Sequence, residues 1–268
     1  MMRTIGAIAL VHVLVAVPLQ APFQTLLPWC LDRGQSEIIA GVAWARGTRP
    51  PFLTEEPGLV RDPDWALDLV DVSHGVGPGS EVRIQWGLQR FEQMDGETVS
   101  GVQDVRLWFA HQIPVAGLTG AFSFMVKLPN APDDDLLGTD QTDVHLLGSV
   151  GWQSSVWGWA GQAGLGLLGN PLPGDNTSQD DVLLFGVAAW RGFGAGDLNG
   201  PFILASLEVA GQAASRFGND VREATAGLTL ASLRFPITMT SSWGLTSVSE
   251  DWAVAVRVTV MSNPGVTR

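Results

Sequence analysis

The chain has 268 residues, a formal net charge of −12, 16% charged residues and a mean hydropathy of +0.18. Low charge with positive hydropathy excludes disorder and points to a protein that buries much of itself or faces lipid. The basic residues are scattered, without the patch or stripe that nucleic acid requires, so nucleic acid is excluded as a partner.

The N-terminus reads as an export signal over 1–21. Met1-Met2-Arg3 gives a charged start, Ile5 to Val17 an apolar run, and Leu19-Gln20-Ala21 a small-residue cleavage site after Pro18. As an anchor helix the run is interrupted by His12 and ends too soon to span a bilayer. The single cysteine, Cys30, follows Trp29 rather than the small residue of a lipoprotein signal, and it excludes an internal disulfide and a cysteine-based zinc site. No later segment is an apolar run of helix length, so membrane residence has to come from strands. Residues 22–60 form an N-terminal segment with room for one strand, SEIIAGVAWA at 36–45.

From 61 to 261 the pattern is period two, expected to form one β-barrel domain, with 262–268 as a tail. DWALDLVDVS (64–73) leads through glycines into EVRIQWGLQRF (81–91), where Val82, Ile84, Trp86 and Leu88 oppose Glu81, Arg83, Gln85 and Gln89. In DVRLWFAHQ (104–112), Val105, Leu107 and Phe109 oppose Asp104, Arg106 and Gln112, and Trp108 breaks the polarity. AFSFMVKLP (121–129) and TDVHLLGSVGW (142–152) alternate in the same way around an acidic, turn-rich stretch. Further strands are expected at 156–168, 181–193, 202–212, 223–235, 237–245 and 252–260. Eleven or twelve strands result, with long polar loops at 92–103, 129–141, 169–180 and 213–222 and tight turns elsewhere.

That rhythm is expected of an up-and-down antiparallel transmembrane β-barrel of about 12 strands. A soluble β-sandwich would also alternate, but tryptophans fall near strand ends (Trp65, Trp152, Trp190, Trp252), where an interfacial girdle would place them. The polar face also carries isolated charges that a dry sandwich core would leave unpaired. Glu81, Arg83, Asp104, Arg106, Lys127, Asp143, Glu208, Arg234 and Arg257 are therefore the lumen-lining candidates. They suit either a selective passage or a salt-bridged plug that holds a small barrel shut.

Other motifs yield no chemistry. GLGLLG (164–169) has the letters of a dinucleotide loop, but its glycines fall in a strand and no helix follows. Asp133-Asp134-Asp135 with Asp140 and Asp143 lacks calcium-loop spacing and reads as a solvated loop, as do Asp175, Asp180 and Asp181. His145 and Ser149 share one face of a strand, but four residues along a strand is roughly 13 Å, too far for a catalytic pair. The chain is accordingly expected to be no enzyme and to use no metal or cofactor.

Several segments resemble the MetA-pathway of phenol degradation family, a group of bacterial outer-membrane β-barrel proteins. Val126-Lys127-Leu128-Pro129, Leu137-Gly138-Thr139 and Thr142-Asp143-Val144 follow the family's K-L-P-T-G, polar loop, G-T-G-S-T-D pattern. SGVQDVRLWF (100–109), LASLEVAG (204–211), WGLTSVSEDWAVAVRV (243–258) and TEEPGLVRDPDWALDLV (54–70) resemble further strands in the right order. Asn130 stands where the family has a small or hydroxylated residue, and Asp140 where it has glycine. The resemblance implies a barrel of about twelve strands in the outer membrane of a diderm bacterium, admitting small hydrophobic or aromatic solutes. The lipid bilayer and the outer-membrane assembly machinery are the implied partners. The alternative is a closed barrel or an exported soluble β-domain with a structural or binding role and no transport.

Overall fold

The computed structural model describes residues 28–46, 64–92, 96–131, 137, 141–154, 156–169, 181–194, 202–214, 221–230, 235–246, 249 and 251–262. The signal segment and most of the acidic loop residues lie outside them. The strands are β1 (Ser36–Arg46), β2 (Asp64–Gly77), β3 (Ser80–Glu92), β4 (Thr98–Val102), β5 (Val105–Val115), β6 (Leu118–Leu128) and β7 (Asp143–Gln153). They continue as β8 (Trp157–Leu167), β9 (Val182–Gly194), β10 (Phe202–Ala214), β11 (Val221–Leu230), β12 (Ile237–Gly244) and β13 (Trp252–Ser262).

Each strand pairs antiparallel with its neighbours, and β1 lies between β2 and β13, with Ser36 opposite Ser262 and Arg46 opposite Trp252. The sheet closes on itself as a 12-strand barrel. The thirteenth strand does not add a stave, because β4 and β5 share one place beside β3. β4 pairs with Leu88 to Glu92 and β5 with Ser80 to Gln85. Between them the Gln103 N–H donates to the Gly87 carbonyl at 2.9 Å, so the ladder continues across the break. The 92–103 segment, read from sequence as a long loop, is thus partly wall: Val99 packs with Ala131 and Leu137 in a small buried cluster at the rim.

The two rims differ as sequence spacing requires. At the rim where β1 starts and β13 ends, β2–β3 and β5–β6 are joined by two residues each, Pro78-Gly79 and Ala116-Gly117. Ala116 and Gly117 have φ of 41° and 84°, the pair of left-handed residues that a tight hairpin turn needs to match strand twist. At the other rim the connections run through 47–63, 129–142 and 168–181. Barrels of this type keep short turns on the periplasmic side, so the short-turn rim faces the periplasm.

Alternation assigns the two faces. Ile38, Val42, Ile84, Phe109, Phe122, Phe124, Leu146, Leu165 and Val256 are exposed and point outward, while Glu37, Ser123, Lys127, His145 and Arg257, at intervening positions of β1, β6, β7 and β13, are buried and point inward. No helix among the described residues is long and apolar enough to cross a membrane, and the apolar band lies on strands instead. Aromatic pairs mark both ends of the outer wall: Trp44 meets Trp252 edge-on at 5.4 Å, and Trp152 meets Trp157 at 4.7 Å. Trp190, expected in that girdle, points into the barrel instead, because its place in β9 has the inward parity of Val182, Leu184 and Gly192.

Leu207 is the test of the outer wall, since it is 68% exposed in the middle of β10. Leu207→Arg is expected to cost about 2–4 kcal/mol in denaturant unfolding from lipid vesicles, the penalty for a charge near the bilayer midplane. An unchanged unfolding midpoint would place that residue in water and refute the lipid-facing assignment.

Candidate functional site: the barrel lumen

The inner wall is ionic around much of its circumference and apolar along β8 and β9, with Glu208 and Arg257 facing inward from β10 and β13. On β1 to β7 it carries ionisable groups tied to one another. The Arg83 guanidinium clasps Asp71 on the neighbouring strand, its Nε donating to Oδ1 at 2.7 Å. Farther toward the long-loop rim, Lys127 Nζ lies 2.7 Å from the Asp143 carboxylate and 3.4 Å from that of Asp104. On β8 and β9 the inward positions hold no ionisable residue: Gln162 is the one polar side chain, and the rest are glycine, alanine, valine, leucine and Trp190.

The Lys127 group also anchors the loops. Asp104 Oδ1 accepts the backbone N–H groups of Asn130 and Ala131 at 3.1 and 3.0 Å. Asn130 returns the contact: its Oδ1 accepts the Val105 N–H at 2.6 Å and its Nδ2 donates to the Gln103 carbonyl at 3.2 Å. Asp143 Oδ1 accepts the Gly169 N–H at 2.9 Å. Charge-assisted bonds of this kind are roughly twice as strong as neutral ones. The Lys-Leu-Pro-Asn stretch therefore pins the break between β4 and β5 to the strand that follows it.

Of the nine lumen candidates, Glu81, Arg83, Arg106, Lys127, Asp143, Glu208 and Arg257 have inward parity, and Asp104 sits buried at the β4–β5 break. Arg234 lies outside the described residues. Arg106 extends toward Gln85, its guanidinium 3.4 Å from Oε1. Arg257 lies over Gly41 of the adjacent strand, where a side chain would come within 2.8 Å of its Cγ. His145 and Ser149 both face inward, four residues apart on β7.

Sequence reading missed the segment before β1. Trp29, Cys30 and Leu31 are buried although no strand holds them. Trp29 packs edge-on against Trp190 at 5.7 Å and clusters with Ala160 and Leu204. The Leu31 N–H donates to Glu81 Oε2 at 2.9 Å, and the Cys30 N–H to Gln112 Oε1 at 3.4 Å. Those partners are inward residues of five different strands, so the segment lies inside the barrel near the short-turn rim. Glycines make room for it: a Cβ on Gly151 would come within 2.8 Å of the Trp29 ring, and one on Gly158 within 2.4 Å of the Trp190 ring. The signal available in sequence was a hydrophobic Pro-Trp-Cys-Leu run outside any alternating segment, opposite strands unusually rich in glycine.

A second apolar patch sits deeper in the lumen, where Trp108 and Leu168 pack on Leu147, Val182 and Leu184. Trp108, which broke the polar pattern of its strand, belongs to this patch. Its indole Nε1 and the Ser149 hydroxyl are buried with no hydrogen-bond partner among the described residues.

No family model and no curated protein matches the chain. Solved structures do. An outer membrane channel from Pseudomonas putida F1 is 11% identical over 92% of this chain and 100% of its own, with a TM-score of 0.59. The translocator domain of the autotransporter NalP from Neisseria meningitidis is 13% identical over 87% of this chain and 89% of its own, with a TM-score of 0.51. The architecture is that of an outer-membrane β-barrel. At these identities the likeness is one of fold. Outer membrane phospholipase A from Escherichia coli is also similar, 14% identical over 96% of this chain and 98% of its own, with a TM-score of 0.41. The expectation that the chain is no enzyme is corrected on that ground, because similar solved barrels include an enzyme.

Asp71→Asn would leave Arg83 buried without its bidentate partner. The expected loss of unfolding free energy is roughly 2–3 kcal/mol, the low end for a broken buried pair, because Glu81 and Glu37 remain near the guanidinium. Cys30 supplies a second measurement. Burial, and then the Glu81 carboxylate, push its thiol up to about 12 from an ordinary 9.0. Below about pH 9 the thiol is neutral both seated and released, and it contributes nothing to the difference. Between about 9 and about 12 only the released thiol ionises, so each pH unit favours release by about 1.4 kcal/mol. Iodoacetamide labelling of reconstituted protein should be near zero at pH 8 and rise more steeply than for a free thiol above pH 9. Free-thiol labelling rates at pH 8 would show that the segment is not seated.

Proposed function

We propose that the protein is a passive outer-membrane channel for small hydrophobic or aromatic solutes, closed at its periplasmic end by the segment around Trp29. The observation that carries this reading is the uneven lining of the lumen. Strands β1 to β7 carry paired charges, whereas β8 and β9 are lined by glycine, alanine, Val182, Leu184 and Trp190, and Trp108 of β5 packs onto that apolar side. A solute with an apolar body would slide along the apolar side while its polar atoms face the charged strands. The unpartnered Trp108 N–H and Ser149 hydroxyl offer hydrogen bonds to an acceptor such as a phenolic oxygen. The likeness to a solved outer membrane channel supports the reading, as does the resemblance of the Lys127–Asp143 region to the MetA-pathway of phenol degradation family.

In this mechanism the charged groups act by size and field rather than by chemistry. Arg83 with Asp71, and Lys127 with Asp104 and Asp143, are pinned to the wall, so they narrow the passage without moving into it. The plug holds by apolar packing and two backbone hydrogen bonds.

The test is conductance in planar bilayers, with solute entry into liposomes alongside. Wild-type protein should conduct weakly or in brief openings. Trp29→Ala, which removes the ring packed on Trp190, should raise both current and entry of phenol-sized solutes. A barrel that stays silent with Trp29→Ala and with residues 28–31 replaced by glycine would favour the closed scaffold.

A further inference from the structure

The outer wall, which otherwise presents bulky side chains to lipid, has a depression. Across β8 to β13 a groove of about 1370 Å³ opens on the outside of the barrel. That is larger than the ~300–1,000 Å³ of an ordinary small-molecule pocket. Its floor is made by small outward residues, Ala189, Ala205, Ala226 and Ser241, and its sides by large ones such as Trp159 and Met239. Cross-strand register sets these residues in rows, with the bulky Leu207 standing between Ala189 and Ala226. Ala189 lies opposite Leu207, Leu207 opposite Ala226, and Ala226 opposite Ser241.

Those rows run perpendicular to the strands and are therefore inclined in the membrane. Trp157 opens β8 at the short-turn rim, whereas Val254 and Val256 lie in the half of β13 nearer the other rim. Five strand spacings of ~4.8 Å give a groove about 24 Å long. Strands tilted by ~40° make it rise about 15 Å, half of a ~30 Å hydrocarbon core. The groove thus spans one leaflet, starting at the periplasmic interface.

At that starting point stands a cation. Arg191 lines the groove, faces outward from β9 opposite Trp157 and Ala205, and is exposed. Its guanidinium is held over the Phe193 ring at 5.3 Å from the centroid. An arginine fixed among aromatic side chains at headgroup depth is suited to a phosphate, which it binds with paired N–H donors. The apolar groove below it is suited to an acyl chain.

We infer that this groove is a binding site for one glycerophospholipid of the periplasmic leaflet, its phosphate on Arg191 and an acyl chain laid over Ala205, Ala189 and Ala226. The site lies on the opposite face of the wall from the lumen and does not depend on transport. A bound lipid would fill the hollow that the small residues leave and support the wall behind Trp190 and the seated Trp29.

The test is native mass spectrometry of the full-length barrel, delipidated in detergent and then titrated with phosphatidylglycerol. Wild type is expected to retain one lipid after the rest are stripped. Arg191→Gln should weaken that binding by about tenfold, the loss of one charge-assisted contact. Ala226→Phe, which fills the groove, should abolish it. Arg90→Gln, an exposed outward arginine near the long-loop rim, should leave it unchanged. Heat-modifiable gel mobility establishes that each variant is folded, and Arg191→Gln alone decides the matter if Ala226→Phe does not fold. Equal retention by all variants, preference for lipopolysaccharide over phosphatidylglycerol, or a dimer in place of a lipid adduct would overturn the assignment.

Discussion

Lipid offers no hydrogen bonds, so every backbone N–H and C=O in the wall has to be paired by another strand. The pairing of β1 with β13 is the contact on which this depends. It joins residues more than 200 positions apart over the whole length of β1, from Ser36–Ser262 to Arg46–Trp252. Without it, β1 and β13 would each present a bare edge to hydrocarbon. The β4–β5 break obeys the same constraint: Gln103 leaves the regular ladder but still reaches the Gly87 carbonyl.

Closure turns a simple alternation into two unlike surfaces. Outside, one residue in two is apolar and meets lipid. Inside, twelve strands leave a lumen narrow enough for side chains to meet across it, so inward groups have to be small, paired or packed. The protein uses each device in a different place. Asp71 with Arg83 and the Lys127 group pair their charges on one side. The glycines of β8 shrink the other side, and the space they free is taken by Trp190 and Trp29. The outer groove lies over the same strands, where small outward residues thin the wall from the other face.

Much of the wall was legible in the sequence because strand faces repeat every two residues and lipid enforces the repeat strictly. Phe122, Phe124 and Leu146 are outward as their alternation requires, and Lys127, His145 and Ser149 inward. Trp190 shows where such reading fails. Position near a strand end suggested an interfacial ring, but parity turned it into the lumen. Parity is not marked in β9, where Leu183 and Leu184 are apolar on both faces and the one charge, Arg191, lies on the outward face. Thr98–Val102 was taken for loop because its strand signal is only five residues long and is broken from β5 by Gln103-Asp104. Its role as wall comes from β3, which is long enough to pair with both pieces.

By itself the sequence determined the strand alternation, the contrast between short and long connections, and the apolar character of one face, since each is local and repeats along the chain. Only the tertiary structure decided which charges meet, that Asn130 clips the β4–β5 break, and that Trp29 lies inside the barrel. Those contacts join residues tens to more than a hundred positions apart, as with Leu31 and Glu81 or Trp29 and Trp190. No local period encodes them. They exist because closure brings distant strands around one narrow space, and whatever enters that space has to be packed or paired there.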